Sequence, residues 1–393
     1  MCDLRILVLT HEFPPIGGGG AQVIRDLCRG MTFSGHEIQV LTTHIAGLPF
    51  EEKLDSVRII RVPCGRQAPY RARLVEMAQY LLRGFPIGLG LIKNWRPDIM
   101  HVHFAVPAGA LGKALSMYTG VPYFMTVHGG DVPGGAPEKT SRWFRWIYPF
   151  THSIWRSASH VVAVSEHTRQ LSLRHYPVEI SVIRNGFDFA ALRPGEIEVG
   201  RPPQVIWAGR FMPEKNPLQV VNTMNHLRDI PWKCVMIGDG PERARVEREI
   251  VKWGLQERFT IPGWVDQKEV MNWFARSDVL FMPSLSEGLP IVGLQGLAMG
   301  LAVVATRVGG FVDLVDPMRN GYLVDNPNSD GFTEPLRRLL TDPEQLLKFR
   351  RASFLVADRF DISYTIQSYE ELLTELASKL VKPDKFEGYR IVE

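Results

Sequence analysis

The chain is expected to fold as an α/β protein of two doubly wound domains, each a parallel sheet with helices on both faces. Short, branched, apolar runs alternate with helix-length segments from one end to the other, and such runs mark strands buried on both faces of a parallel sheet. At 393 residues the chain is too long for one ordinary core. The rhythm pauses across Phe189 to Pro203, which holds three prolines and two glycines and reads as a linker. The expected division is a first domain over 1–190 and a second over 203–362. Ligands belong where strand C-termini face the gap between them.

In the first domain the strand-like runs are Arg5 to Thr10, Glu37 to Thr43, Val57 to Val62, Asp98 to His103, Pro122 to Val127 and Val161 to Val164. Helical stretches lie between them near 21–34, 70–94, 106–118, 139–158 and 166–176. The same pattern restarts at Pro203 to Ala208 and continues through Lys233 to Ile237, Phe259 to Ile261, Val279 to Met282 and Ala302 to Ala305. The segment 139–158 mixes Trp143, Phe144, Trp146, Ile147, Tyr148, Phe150 and Trp155 with Arg142, Arg145 and Arg156. An interfacial amphipathic helix fits that composition. A core helix with a basic edge is favoured, because the aromatics are too many for one narrow face. From Leu380 onward the chain is polar and reads as a loosely held tail.

Composition narrows the setting. A hydrophobic content of 45% is ordinary for a globular protein, and the net charge of +3 is small. The charge is uneven, with 21 basic and 14 acidic residues in 1–194. Residues 58–96 carry eight Arg or Lys against the single acid Glu76. That basic stretch fits an anionic partner, such as a membrane surface or a phosphorylated acceptor, and equally a solubilising face. Nucleic acid is not among the expected partners. The cysteines at 2, 28, 64 and 234 show no paired spacing, as expected for free thiols in a reducing cytoplasm. Met1 to Thr10 reads as a first strand rather than a signal peptide. No apolar run approaches the roughly 20 residues that span a bilayer, so the expected location is cytoplasmic, with peripheral contact at the inner membrane face as an option.

The densest chemistry lies in Ser284 to Gly300. Pro290 suits the start of a helix. The N–H groups of Ile291, Val292 and Gly293 would then be unpaired at a positive helix end, a seat for an anion. Glu287 stands just before that seat, suited to accept hydrogen bonds from sugar hydroxyls, and Gln295 is expected two helical turns further on the same face. A solvated Glu287 on an ordinary loop is the plainer alternative. Upstream, Gly209-Arg210 and Glu214-Lys215-Asn216 follow the first strand of the second domain. Arg210 and Lys215 there can clamp a pyrophosphate and offset charge on a leaving group, or stand as two solvated surface cations. Gly238-Asp239-Gly240-Pro241 reads as a structural turn. Trp264 and Val265 follow another strand end, where backbone groups can read a base edge.

The first domain supplies Gly17-Gly18-Gly19-Gly20 after His11-Glu12-Phe13-Pro14-Pro15-Ile16, leading into a helix at Ala21. Such a loop lets backbone approach a ligand at a helix N-terminus, unless it is merely flexible. It is not a dinucleotide fingerprint, since the glycines come too long after the strand. His128-Gly129-Gly130-Asp131 closes the strand 122–127. His128 there either bonds a substrate hydroxyl, steadies positive charge through its carbonyl, or is a satisfied structural residue. His101 and His103 are expected to face opposite sides of their strand and to serve as packing residues, not as metal ligands.

Together these motifs, with Val182-Ile183-Arg184-Asn185-Gly186-Phe187-Asp188 before the linker and Glu287-Gly288-Leu289-Pro290, resemble the retaining glycosyltransferases of family four (glycosyl transferases group 1) over about residues 4–380. The resemblance implies the GT-B fold, two Rossmann-like domains across a cleft, with a last helix over 363–380 returning to the first domain. It implies that Arg210 and Lys215 bind the diphosphate of a UDP- or GDP-sugar, while Glu287 and the backbone of Leu289, Pro290, Ile291 and Val292 hold the sugar. His128 would line the acceptor-facing side, Gly18 and Gly19 would approach the phosphates or acceptor, and Trp264 and Val265 would contact the base. No metal or other cofactor is implied. The acceptor would be a glycan or lipid-linked hydroxyl in cell-envelope or glycoconjugate synthesis. The chain departs from the family pattern at Gln295, where a second glutamate grips the ribose; weaker or altered ribose binding follows. A sugar-nucleotide epimerase of the same architecture and a non-catalytic donor-binding subunit are the alternatives.

Overall fold

The computed structural model describes residues 3–69, 72–134, 144–189, 196–288, 290–328 and 330–380. The first sheet contains β1 (Arg5–Leu9), β2 (Glu37–Ile45), β3 (Glu51–Leu54), β4 (Val57–Arg66), β5 (Ile99–His103), β6 (Tyr123–Val127), β7 (Val161–Ala163) and β8 (Ile180–Val182), in the order β3-β4-β2-β1-β5-β6-β7-β8. Every neighbouring pair is parallel except the β3–β4 hairpin. The second sheet contains β9 (Gln204–Ala208), β10 (Lys233–Ile237), β11 (Phe259–Gly263), β12 (Val279–Met282), β13 (Ala302–Thr306) and β14 (Gly321–Val324), all parallel, in the order β11-β10-β9-β12-β13-β14. The predicted doubly wound, parallel architecture is therefore present twice.

The helices are α1 (Gly19–Phe33), α2 (Leu74–Trp95), α3 (Ala110–Thr119), α4 (Phe144–Ser157) and α5 (Glu166–Leu173) beside the first sheet. Beside the second stand α6 (Pro217–His226), α7 (Arg243–Lys252), α8 (Gln267–Ala275), α9 (Ile291–Ala298), α10 (Phe311–Leu314), α11 (Thr333–Thr341) and α12 (Pro343–Ala357). The last helix, α13 (Ile362–Leu380), crosses back. Strand alternation distributes β1 between two cores. Leu7 and Leu9 pack with Tyr80, Leu111, Leu115 and Trp155 of α2, α3 and α4. Ile6 and Val8 pack with Ile24 and Leu27 of α1 and with Tyr369, Leu373 and Leu376 of α13.

Three strands lay outside the sequence expectation. Glu51–Leu54 is a polar edge strand and carries no apolar run, and Ile180–Val182 and Gly321–Val324 are only three and four residues long. Within α4, Ile154 and Trp155 are buried, and Trp155 stacks on Tyr176 with centroids 4.1 Å apart. Phe150 stays exposed. Arg142 and Trp143 lie outside the described residues, as does the tail beyond Leu380. The basic stretch is largely engaged internally. Arg58 pairs with Glu51, Arg61 is buried against Glu52, Arg73 pairs with Glu76 and Arg83 donates to the Pro63 carbonyl. Arg66 is buried and donates to the carbonyls of His11, Ala68 and Pro69, so it holds the first loop in place. Among the described residues no helix is long and apolar enough to cross a membrane.

The linker end is pinned by Asp278, whose carboxylate accepts the N–H groups of Gly200 and Gln204 and pairs with Arg350 at 2.6 Å. The returning helix is fixed by side chains of the first domain. Tyr369 lies 2.9 Å from Thr126 through their hydroxyls. His36 accepts the Leu4 N–H at Nδ1, so its Nε2–H donates to Glu370, 2.7 Å away in a buried setting. Replacing His36 with Ala strands that carboxylate, and His36→Ala is expected to cost about 1.5–3 kcal/mol of unfolding free energy. Urea titration checks this; an unchanged midpoint would show that α13 does not depend on the bond.

Candidate active site

In an open parallel sheet, loops diverge where the strand order reverses, leaving a crevice at the strand C-termini. The first sheet reverses at β1 and β5, the second at β9 and β12. The polar loops singled out from sequence leave those strands or their neighbours: 10–18 follows β1, His128–Asp131 follows β6, Gly209–Asn216 follows β9 and Pro283–Pro290 follows β12, while Phe104, which sequence did not single out, follows β5.

On the second-domain wall, Lys215 Nζ lies 2.7 Å from both carboxylate oxygens of Glu287. Ser284 Oγ donates to Oε1 of the same carboxylate at 2.8 Å. Glu287 is buried and Lys215 is partly so. The Leu285 N–H donates to the Glu214 carbonyl at 2.8 Å, tying the two loops together along their backbones as well. Arg210 opens the β9 loop, half-buried, and the Lys215 chain lies 3.8 Å from where a Cβ on Gly209 would stand. The Gly238–Pro241 turn supports this loop, with the Phe211 N–H donating to the Asp239 carbonyl and the Glu242 N–H to the Phe211 carbonyl, each at 2.9 Å.

Pro290 is the N-cap of α9. One expected anion donor is already used, because the Gly293 N–H bonds the Pro290 carbonyl at 2.9 Å. Among the described residues the N–H groups of Ile291 and Val292 have no protein acceptor, so the seat has two donors rather than three. A second expectation also changes. The helix starts at Ile291, so Glu287 lies in the preceding loop and helical periodicity does not place Gln295 on its face. Gln295 is buried in the second turn of α9. Leu289 lies outside the described residues. Trp264 is exposed and Val265 half-buried just past β11, two strands from β9.

The first-domain wall meets this one closely. A Cβ on Gly19 would stand 2.7 Å from Ile291 Cγ1, and a Cβ on Gly288 only 2.4 Å from the His128 carbonyl oxygen. Only glycine permits either approach. The helix begins at Gly19, two residues before the expected Ala21, with Gly18 as its N-cap, so the N-termini of α1 and α9 face the same crevice. Asp131 shapes the histidine turn by accepting the N–H groups of His128 and Ala105.

His101 and His103 share one face of β5, contrary to expectation, because residues two apart in a strand always do. Their rings lie 4.0 Å apart, and His103 Nδ1 is 3.2 Å from His128 Nε2. Sequence reasoning missed His103 as a site residue, although its spacing from His101 carried the signal. It also missed Ser284 and Phe104, whose ring stands between His11 and His128 at φ 73°. Burial pushes His128 down to about 3, with a further contribution from His11. Desolvation likewise drives His101 and His103 well below the ordinary histidine range. Burial raises Asp131, against the amides that favour its charged form.

Two doubly wound domains meeting at both switch points define a GT-B glycosyltransferase fold. Sucrose-phosphate synthase from Thermosynechococcus elongatus superimposes with a TM-score of 0.84 at 19% identity, covering 96% of this chain and 100% of that one. Anabaena HepE in complex with UDP-glucose gives a TM-score of 0.74 at 18% identity, covering 95% and 100%. Residues 17–191 match Glycosyltransferase Family 4 and residues 188–355 match Glycosyl transferases group 1, and the chain belongs to this glycosyltransferase family. It is 27% identical over 384 residues to the 2-deoxystreptamine glucosyltransferase of Streptomyces kanamyceticus, covering 90% of this chain and 98% of that one.

The depressed histidines make stability depend on acid. Below the unfolded value near 6.5, the unfolded chain binds protons that the folded chain does not, so folding weakens as pH falls. The urea midpoint is expected to drop between pH 7 and pH 5, and to drop less in His128→Asn. Equal drops in the two proteins would remove His128 from this account.

Proposed function

We propose that the chain moves a sugar from a nucleotide diphosphate sugar to an acceptor hydroxyl with retention of anomeric configuration. The observation that carries this reading is the Lys215–Glu287 contact at the β9–β12 switch point, beside the N-terminus of α9 and facing the His128 turn. Arg210 and Lys215 bind the diphosphate, Glu287 accepts sugar hydroxyls, and the Ile291 and Val292 amides with the α9 dipole favour the phosphate. The bond from the anomeric carbon to the phosphate oxygen breaks as the acceptor oxygen bonds that carbon on the same face. The acceptor proton passes to the departing phosphate oxygen. Rate enhancement then comes from positioning and from offsetting charge on the leaving diphosphate.

HepE supports a UDP-sugar as the first donor to try, with GDP-sugars next. In this reading the backbone of Trp264 and Val265 contacts the base and Gln295 meets the ribose. Gly18 and Gly19 approach the phosphates or acceptor from the first domain. The acceptor in this reading is a glycan or lipid-linked hydroxyl, offered at an anionic membrane surface to residues 58–96. Sedimentation with anionic vesicles at low salt tests that last part, and its absence would remove the membrane from the proposal.

Incubation with a panel of nucleotide sugars, read by mass spectrometry, should release free nucleoside diphosphate. An altered sugar on intact nucleotide would indicate epimerisation instead, and binding without turnover a non-catalytic subunit. Arg210→Ala and Lys215→Ala should each lower turnover on the order of 10²–10³-fold, whereas Gln295→Glu should change donor affinity more than turnover. Near-normal rates in both alanine variants would refute the assignment.

A further inference from the structure

We infer that His103 is a positioning residue: its Nδ1–H donates to His128 Nε2 and holds His128 in the tautomer that presents Nδ1–H to an oxygen of the bound sugar donor. The inference rests on the cleft being the nucleotide-sugar site, but the tautomer itself can be read without any substrate.

Between His103 Nδ1 and His128 Nε2, 3.2 Å apart, one proton must lie. Its owner follows from the other nitrogen of His103. Nε2 of His103 is buried and has no partner among the described residues. If His128 supplied the proton, a neutral His103 would carry its own on Nε2, as a buried N–H with nothing to bond. If His103 supplies it, Nε2 is left as a bare lone pair. Orphaned buried N–H groups are rarer than under-used acceptors, so the second arrangement prevails. A doubly protonated ring on either side is opposed by burial. Neutral His128, accepting at Nε2, then bears its proton on Nδ1.

Packing keeps the pair from exchanging roles by rotation. The His101 ring lies against His103, and the Phe104 ring lies 4.5 Å from His128. His101 is itself tethered by Thr126 Oγ1 at 2.9 Å, and Thr126 by the Tyr369 hydroxyl of α13. On its open side, His128 Nδ1 faces the first turn of α1, 3.9 Å from where a Cβ on Gly20 would stand. Among the described residues it has no protein acceptor. The first-turn N–H groups of α1 and the Nδ1–H of His128 thus form a set of donors, matched to a ligand rich in oxygen acceptors.

The deciding measurement is a long-range ¹H–¹⁵N spectrum of the full chain with ¹⁵N-histidine, assigned with His103→Asn and His128→Gln. The expected pattern is Nδ1–H with bare Nε2 for both residues; a His128 ring protonated at Nε2 overturns the inference. In transfer assays, His103→Asn keeps an N–H in the Nδ1 position and should retain most activity. His103→Leu should lose about tenfold or more in turnover, the scale of one hydrogen bond to a bound ligand, while nucleoside diphosphate affinity stays unchanged. Equal losses in the two variants, at equal melting temperature, also overturn it. A wild-type chain that turns over no nucleotide sugar defeats the reading of the cleft, and the spectrum still decides the relation of His103 to His128.

Discussion

A buried carboxylate needs a partner, and Glu287 finds one in Lys215, an ammonium carried by a different loop. Removing either side chain would strand the other charge in a partly desolvated place. The pair therefore does more than sit in a site: it fixes the β9 loop against the β12 loop. Ser284 fills one more lone pair, and the Leu285-to-Glu214 backbone bond repeats the connection beneath. The contact exists only because β9 and β12 are neighbours at the reversal of strand order. Elsewhere in the sheet, loops from successive strands run to one side and would not bring these two residues together.

The opposite wall answers with backbone rather than charge. Gly19 and Gly288 let two helix starts and the histidine turn come within van der Waals reach across the cleft. A methyl group at either position would push the walls apart. Behind His128 stands a ladder of buried polar rings and hydroxyls, His103, His101, Thr126 and Tyr369, ending on α13. The helix that crosses between the domains is thus attached to the same β-strands that aim the histidine. Its docking and the shape of the crevice share one set of supports.

Much of this was legible beforehand. The long buried strands declared themselves by apolar content, and each polar loop of the site was visible as a break after such a strand. The elements that escaped offer too little of that signature: the charged edge strand Glu51–Leu54 has almost none, and Ile180–Val182 and Gly321–Val324 are only three and four residues long. These are strands because a neighbouring strand supplies hydrogen bonds, not because of their own pattern. The errors at the site came from applying a period in the wrong place. His101 and His103 obey the two-residue repeat of a strand and so stand side by side. Glu287 and Gln295 do not share a helical repeat, since α9 begins only at Ile291.

Local sequence, then, determined the long buried strands, the helices between them and the turns that end them, because apolar periodicity, proline and glycine act on a residue's own backbone. It also determined that a lysine, an arginine, a glutamate and a histidine stand at strand ends. Tertiary structure alone decided that Lys215 touches Glu287, that His103 backs His128 and that Gly19 meets Ile291. Those contacts join residues 72, 25 and 272 positions apart, and their distance in space is set by strand order and domain packing, which no single stretch of chain encodes.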